Sequence, residues 1–232
     1  MIHAIPGFYE PVNAFLHLGG AVVFVILGVR VVRRNWSHRG RAAVLGVFAL
    51  AGVLMLSISG VYHMLPGGSA GSEVMLRLDH AAIFVLIAGT FTPIHTLLFR
   101  GIARWSGLSM IWAVAVTGVT LVTIFFNDMP RGLGLGLYIA MGWLAGLSLV
   151  VAWRRRGFRF VRAVFIGGLV YSGGAILLAL DWPTIIPGVV GPHELWHIAV
   201  ILGLSLHWRF IERLAHSAPN PAEASRGGSL GL

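Results

Sequence analysis

The stretch AAVLGVFALAGVLMLSISGVYH, residues 42–63, decides the fold of this chain. It contains no Asp, Glu, Lys or Arg, and its length matches the roughly 20 apolar residues that a helix needs to cross a bilayer. Similar apolar stretches fill the sequence, in which 57% of the residues are hydrophobic and 11% are charged. Because a soluble domain carries about 25% charged residues, this composition predicts an integral membrane protein.

The sequence divides into seven such stretches, which predicts an all-α membrane protein folded as a seven-transmembrane helix bundle. Charged or turn-rich segments such as RRNWSHRGR, PGGSAGSE and DWPTIIPGVVGP separate them. We assign residues 1–214 to this bundle and the polar residues 215–232 to a disordered cytoplasmic tail. The predicted helices cover residues 11–32, 41–63, 79–99, 105–126, 132–152, 160–180 and 193–214.

The net charge of +9 comes from a chain that has no lysine, so every basic residue is an arginine. Fifteen of the 17 arginines fall on one side of the predicted bundle, and only Arg77 and Arg131 fall on the other. The positive-inside rule then places the amino terminus outside and the carboxyl terminus in the cytoplasm. We expect the protein in the inner (plasma) membrane as a multi-pass protein. Since topology accounts for the arginines, we expect no nucleic-acid partner.

Polar and ionisable residues from four predicted spans lie toward the same, non-cytoplasmic end of the bundle. Such residues are costly inside a membrane and are therefore candidates for function. The chain contains no cysteine, so a metal ion would have to bind histidine, carboxylate or water. The residues of this group are Glu10, Asn13, His17, Ser59, Tyr62, His63, Asp79, His193 and His197.

The histidines of this group have the spacing of a metal site. His193 and His197 are four residues apart and share one helix face, so both rings can bind one ion, and His63 could supply a third nitrogen. Three histidines and a water molecule form an open zinc site, at which Asp79 could act as general base. Ser59 lies one turn before His63 and could hydrogen-bond a ligand or contact a substrate oxygen.

Other interpretations of these residues stay open at this point. Asp79 could be a helix N-terminal carboxylate that the helix dipole favours, and Tyr62 could be an interfacial anchor. Glu10 and Asn13 could form only an interhelical pair, or with His17 and Tyr62 they could support the metal ligands. The string HELWH, residues 193–197, also matches H-E-x-x-H of zinc metalloproteases, in which Glu194 would be the base.

Four motifs, EPVNAFLHLGG, SGVYH, RLDHAAIFVLIAGTFTP and HELWHIAVILG, stand in the order seen in the hemolysin III family, which this chain resembles from Glu10 to Trp208. That family is the bacterial branch of the group that includes the adiponectin receptors, and it is similar to the alkaline ceramidases. The resemblance implies a zinc ion bound by His63, His193 and His197. It also implies that Ser59 and Asp79 belong to the site and that Glu194 is incidental.

The residues and the resemblance together predict a zinc-dependent hydrolase that cleaves an amide or ester bond of a membrane lipid. The alternatives are a receptor or sensor with structural zinc, a membrane-lysing haemolysin-like protein, and an intramembrane protease. In the adiponectin receptors the amino terminus and the zinc face the cytosol, whereas the arginines here predict the opposite orientation. The expected partner is a membrane lipid, and the sequence indicates no particular protein partner.

Overall fold

The structure, a computed structural model, describes residues 8–130 and 132–217. These ranges are mainly helical and contain no strand, although an isolated bridge between Ile186 and Val190 orders the loop before the last helix. The helices are α1 (Pro11–Arg34), α2 (Arg39–Tyr62), α3 (Ala70–Leu98), α4 (Gly101–Ile124), α5 (Leu133–Gly146), α6 (Leu149–Arg156), α7 (Phe158–Ala179) and α8 (Pro192–Ser217).

Six helices in the described part of the chain are long and apolar enough to cross a membrane, when α5 and α6 are counted as the single helix Leu133–Arg156. This confirms the all-helical part of the prediction and supplies six of the seven predicted spans as helices able to cross a membrane. The seventh segment, α8, has 26 residues but falls outside that set. Its four histidines and its charged residues make it more polar than the others, so a seventh crossing stays a prediction.

The last helix also continues past the predicted boundary at residue 214 and ends at Ser217. The remainder of the predicted polar tail, residues 218–232, lies outside the described residues.

Helix α3 begins at Ala70, whereas the sequence predicted residue 79. The side chain of Ser69 caps it by accepting a hydrogen bond from the backbone N–H of Ser72, and Glu73 adds a negative charge in the first turn. Asp79 therefore lies about two and a half turns inside the helix. The interpretation of Asp79 as a helix N-terminal carboxylate is wrong.

The predicted helix 132–152 is interrupted at Leu147 and Ser148, between α5 and α6. His95, buried near the end of α3, contacts this break between α5 and α6. Its Nδ1 lies 3.3 Å from the Ser148 hydroxyl, and its Nε2 lies 2.8 Å from the carbonyl oxygen of Ala103. His95 thus has the packed, hydrogen-bonded role usual for a buried histidine and joins the break to the start of α4.

Consecutive helices pack against each other in the pairs α1–α2, α2–α3, α3–α4 and α7–α8, and α8 also contacts α1 and α3. Glycine permits some of the closest approaches: a Cβ atom at Gly89 would lie only 2.5 Å from that of Ala51. This arrangement brings the start of α1, the end of α2 and the start of α8 together. We call this region, with the side chain of His63 at its centre, the histidine end of the bundle.

Candidate metal centre

Backbone contacts fix the three chain segments that meet at the histidine end. The N–H of Glu10 donates to the carbonyl of His63 at 2.9 Å, which attaches the start of α1 to the end of α2. At the start of α8, a carboxylate oxygen of Glu194 accepts a hydrogen bond from the N–H of Gly191 at 2.8 Å. A glutamate that reaches back to the residue before the helix stabilises its first turn and so holds His193 in place.

The structure brings His63, His193 and His197 together. Each offers a ring nitrogen, and these nitrogens all lie within 4.8 Å of one another. The Nε2 atoms of His193 and His197 are 3.2 Å apart. His63 and His197 are 2% and 3% exposed, whereas His193 lies at the edge of the group, so the centre is closed on two sides and accessible on the third.

The hydrogen bonding of these rings fits a bound cation. Nε2 of His63 is buried and has no hydrogen-bond partner among the described residues. Such an orphaned buried nitrogen is costly and calls for an explanation, and a metal ion between the three rings would provide the missing partner. Imidazole nitrogen is a ligand that zinc accepts readily. The group could therefore hold a metal ion.

Ser59 and Asp79 lie beside the three histidines. Ser59 is buried in α2 one turn before His63. The carboxylate of Asp79, on α3, lies within reach of a hydrogen bond with Ser59 and close enough to His80, His63 and His193 for electrostatic interaction. Asp79 also lines a cavity of about 660 Å³ whose wall includes His193 and His197. Asp79 is thus positioned to reach a small molecule held at the histidines.

Three side chains of α1 reach the same region. Glu10 places a carboxylate oxygen 2.8 Å from Nδ1 of His63, a contact that is short but poorly aligned for a hydrogen bond. This contact lowers the pKa of the Glu10 carboxyl to about 2, so that it is an anion at neutral pH. Asn13 is buried, and Nε2 of His17 lies 2.7 Å from Nδ1 of His197.

Tyr62 contacts the site from the last residue of α2. Its ring centroid lies 4.8 Å from that of His63. It packs against one ligand candidate and is half-buried, which leaves both an anchoring and a supporting role open.

Glu194 has a structural role that the sequence analysis missed. Its second carboxylate oxygen accepts a hydrogen bond from Nδ2 of Asn13 at 2.9 Å, so Glu194 joins the first turn of α8 to α1. Glu10, His193 and Glu194 also form a second group with the spacing of a metal site. A proline at the first position of a helix with glutamate two residues later was the available signal for this capping role.

A second cavity, of about 350 Å³ and almost entirely apolar in its lining, adjoins the cavity lined by Asp79 and two histidines of α8. It lies between α3, α5, α6, α7 and α8. Three residues line both cavities and separate them: Ile83, Tyr138 and Trp196. The hydroxyl of Tyr138 donates to the carbonyl of His80 at 3.0 Å, which fixes this part of the partition.

Comparisons with known proteins place the chain among described relatives. A family model described as Haemolysin-III related matches residues 8–208. "Hemolysin-3" of Bacillus cereus is 28% identical over 200 residues, which cover 85% of this chain and 87% of that protein. The "Adiponectin receptor protein" of Drosophila melanogaster is 25% identical over 228 residues, which cover 89% of this chain and 50% of that protein. The chain is therefore similar both to bacterial hemolysins and to a receptor.

Proposed function

The chain belongs to the Haemolysin-III-related family, and from this membership and the geometry of the histidine end we propose that it is a zinc-dependent membrane hydrolase. The bond that it cleaves is an amide, or an ester, of a membrane lipid such as a ceramide-like molecule. The observation that carries the proposal is the convergence of His63, His193 and His197 beside Asp79 and next to an apolar cavity.

The three histidines would bind zinc through one ring nitrogen each. Zinc at such a site supplies a Lewis acid that polarises a carbonyl group and makes water more acidic. Asp79 would accept the proton of the attacking water and pass it to the leaving amine nitrogen, while the water oxygen bonds to the carbonyl carbon and the carbon–nitrogen bond breaks. Ser59 would hold the Asp79 carboxylate in the orientation that this transfer needs.

The number of histidines favours catalysis over a structural zinc site. Structural zinc sites normally have four protein ligands, whereas catalytic sites have three and keep one position for water or substrate. The group around His63 contains three histidines, and Asp79 belongs to neither of the two metal-binding groups in the described part of the chain. A centre with three protein ligands also favours an enzyme over a receptor with structural zinc.

The two cavities support a lipid as substrate. The cavity of about 660 Å³ lined by Asp79 and His193 would receive the part of the lipid that carries the scissile bond and the head group. The apolar cavity beyond Tyr138 and Trp196 would receive an acyl chain, because apolar surfaces that line a cavity gain free energy when a hydrocarbon covers them.

The proposed location is a plasma membrane, with the histidine end on the non-cytoplasmic side. This orientation rests on the arginines, most of which lie at the opposite end of the helices. The name of the Bacillus cereus relative points to membrane lysis instead. However, the polar site residues gather at one end of the helices and do not form a stripe along a pore, which favours the hydrolase.

The first experiment measures metal content and activity on the same purified protein in detergent. Elemental mass spectrometry should find about one zinc per chain in the wild type and none in the double variant H193A/H197A. The wild type should release a fatty acid from a short-chain ceramide, and D79N should do so about 10²- to 10⁴-fold more slowly although it retains zinc. Absence of zinc from the wild type, or hydrolysis by the double variant at the wild-type rate, would refute the proposal.

A further inference from the structure

We propose that α1 orients all three histidine ligands, with Glu10 and His17 as the positioning residues of the metal centre. The inference rests on the zinc site of the proposed function and concerns how that site is held. Residues 10, 13 and 17 are three and four positions apart, so they project from one face at the start of α1. This face looks onto the rings of α2 and α8.

The ring nitrogens of the ligands divide into two sets. Nε2 of His193 and Nε2 of His197 face each other at 3.2 Å, and Nε2 of His63 is buried without a partner among the described residues. The Nδ1 atoms of the same rings face α1. We therefore assign Nε2 as the ligand atom of each ring and Nδ1 as the atom that α1 holds.

One carboxylate oxygen of Glu10 lies close to two of these rings, at ion-pair distance. It lies 2.8 Å from Nδ1 of His63 and 3.7 Å from Nδ1 of His193. A carboxylate next to the second nitrogen of a ligand ring fixes the ring orientation and makes the ligand nitrogen more basic. Nδ2 of Asn13 donates to that same oxygen at 2.9 Å and to Glu194 at 2.9 Å, which keeps the carboxylate in place.

His17 serves the third ring. If His197 binds the metal through Nε2, its proton lies on Nδ1 and is donated to Nε2 of His17, 2.7 Å away. His17 must then carry its own proton on Nδ1. That nitrogen is buried and has no partner among the described residues, which is costly for the fold. His17 is only 1% exposed, so its unpaired Nδ1–H destabilises the fold. The presence of a histidine at this position is explained if its Nε2 is needed as the acceptor that holds His197.

The use of a neutral acceptor for His197 has a chemical consequence. With a neutral histidine behind His197, the centre keeps more positive charge than it would with a carboxylate behind each histidine. A more positive metal centre is a stronger Lewis acid and makes water at the site more acidic. The pattern of one glutamate and one histidine on α1 thus suits hydrolysis as well as metal retention.

The test compares H17L with H17Q in the full-length protein. The side-chain oxygen of glutamine can accept the hydrogen bond from His197, whereas leucine has similar bulk and no acceptor. Zinc affinity is measured by competition with a chelator of known affinity. Loss of a partner of a ligand histidine typically weakens metal binding about 10- to 100-fold, so H17L should fall in that range while H17Q stays close to wild type.

A second variant, E10Q, tests the inference independently in case H17L does not fold. E10Q keeps the size of the side chain and removes its charge, and it should also weaken zinc binding, since two rings lose their anionic partner. Gel filtration and far-ultraviolet circular dichroism confirm that each variant is folded. In the cobalt-substituted protein, H17L and E10Q should shift the visible absorption bands, which a purely structural role for these residues would leave unchanged.

The outcomes separate this inference from the function it rests on. If the wild type and folded H17L bind zinc equally and give the same cobalt spectrum, α1 does not position the ligands, although the zinc site itself stands. If the wild type binds no zinc at all, the proposed function and this inference both fail.

Discussion

Removal of the metal should loosen the contact between two distant parts of the chain. His63 ends α2, and His193 and His197 lie in the first two turns of α8, so a bound ion would join helices that are far apart in sequence. An ion that binds only the folded state stabilises it by about 2.7 kcal/mol when its free concentration is 100 times the dissociation constant. For a chain of this size, that corresponds to a shift in Tm of about 5–11 °C.

The assay is thermal unfolding in detergent, followed by circular dichroism with and without a zinc chelator. The chelator should lower the Tm of the wild type by that amount and should have no effect on H193A/H197A, whose Tm is already low. H216A serves as the matched control, because His216 is exposed near the end of α8 and should leave the full response to the chelator. An unchanged Tm of the chelated wild type, or an equal shift in H193A/H197A, would contradict the reasoning.

Three further predictions use single substitutions. D79N should slow lipid hydrolysis by about 10²- to 10⁴-fold at unchanged zinc content, as expected for loss of a general base, and a rate within a few-fold of wild type would exclude that role. E194Q should reduce hydrolysis only mildly, because its carboxylate is engaged in hydrogen bonds at the start of α8; complete loss would instead support an H-E-x-x-H protease mechanism. G203A should destabilise the fold by about 1–3 kcal/mol in detergent unfolding, since a Cβ there would lie 2.7 Å from the Tyr171 ring. G136A, with no atom within 4 Å of the added Cβ, should leave the stability unchanged. Equal stability of G203A and G136A would contradict this packing.

Most of the helices could be predicted from the lengths of the apolar stretches. The wrongly predicted start of α3 is explained by polar residues at the amino-terminal end of that helix. The start of α3 was placed at residue 79 because the apolar stretch begins there. The preceding turns are polar and become helical through the Ser69 cap and the charge of Glu73, which hydropathy does not register. The break between α5 and α6 also escaped prediction, because a run of leucine, glycine and alanine has no helix-stopping proline.

The metal-binding group was predictable because its chemistry restricts the choice of residues. In a chain without cysteine, two histidines one helical turn apart and a third at the same end of the bundle leave few alternatives, and the fold brings these three together. The pairing of Glu10 with two rings and of His17 with His197 could not be predicted. Such pairings depend on the rotation of α1 about its axis, and this rotation is set by packing against α2 and α8.

The attachment of the start of α1 to the end of α2, together with the ligands on α8, has a consequence for biogenesis. His193 lies 130 residues after His63, so the ribosome must reach α8 before all three ligands exist. A truncated chain would present His63 and its partners on α1 without the two histidines of α8. Capture of a metal ion by all three histidines would therefore have to wait until the first turns of α8 have been synthesised.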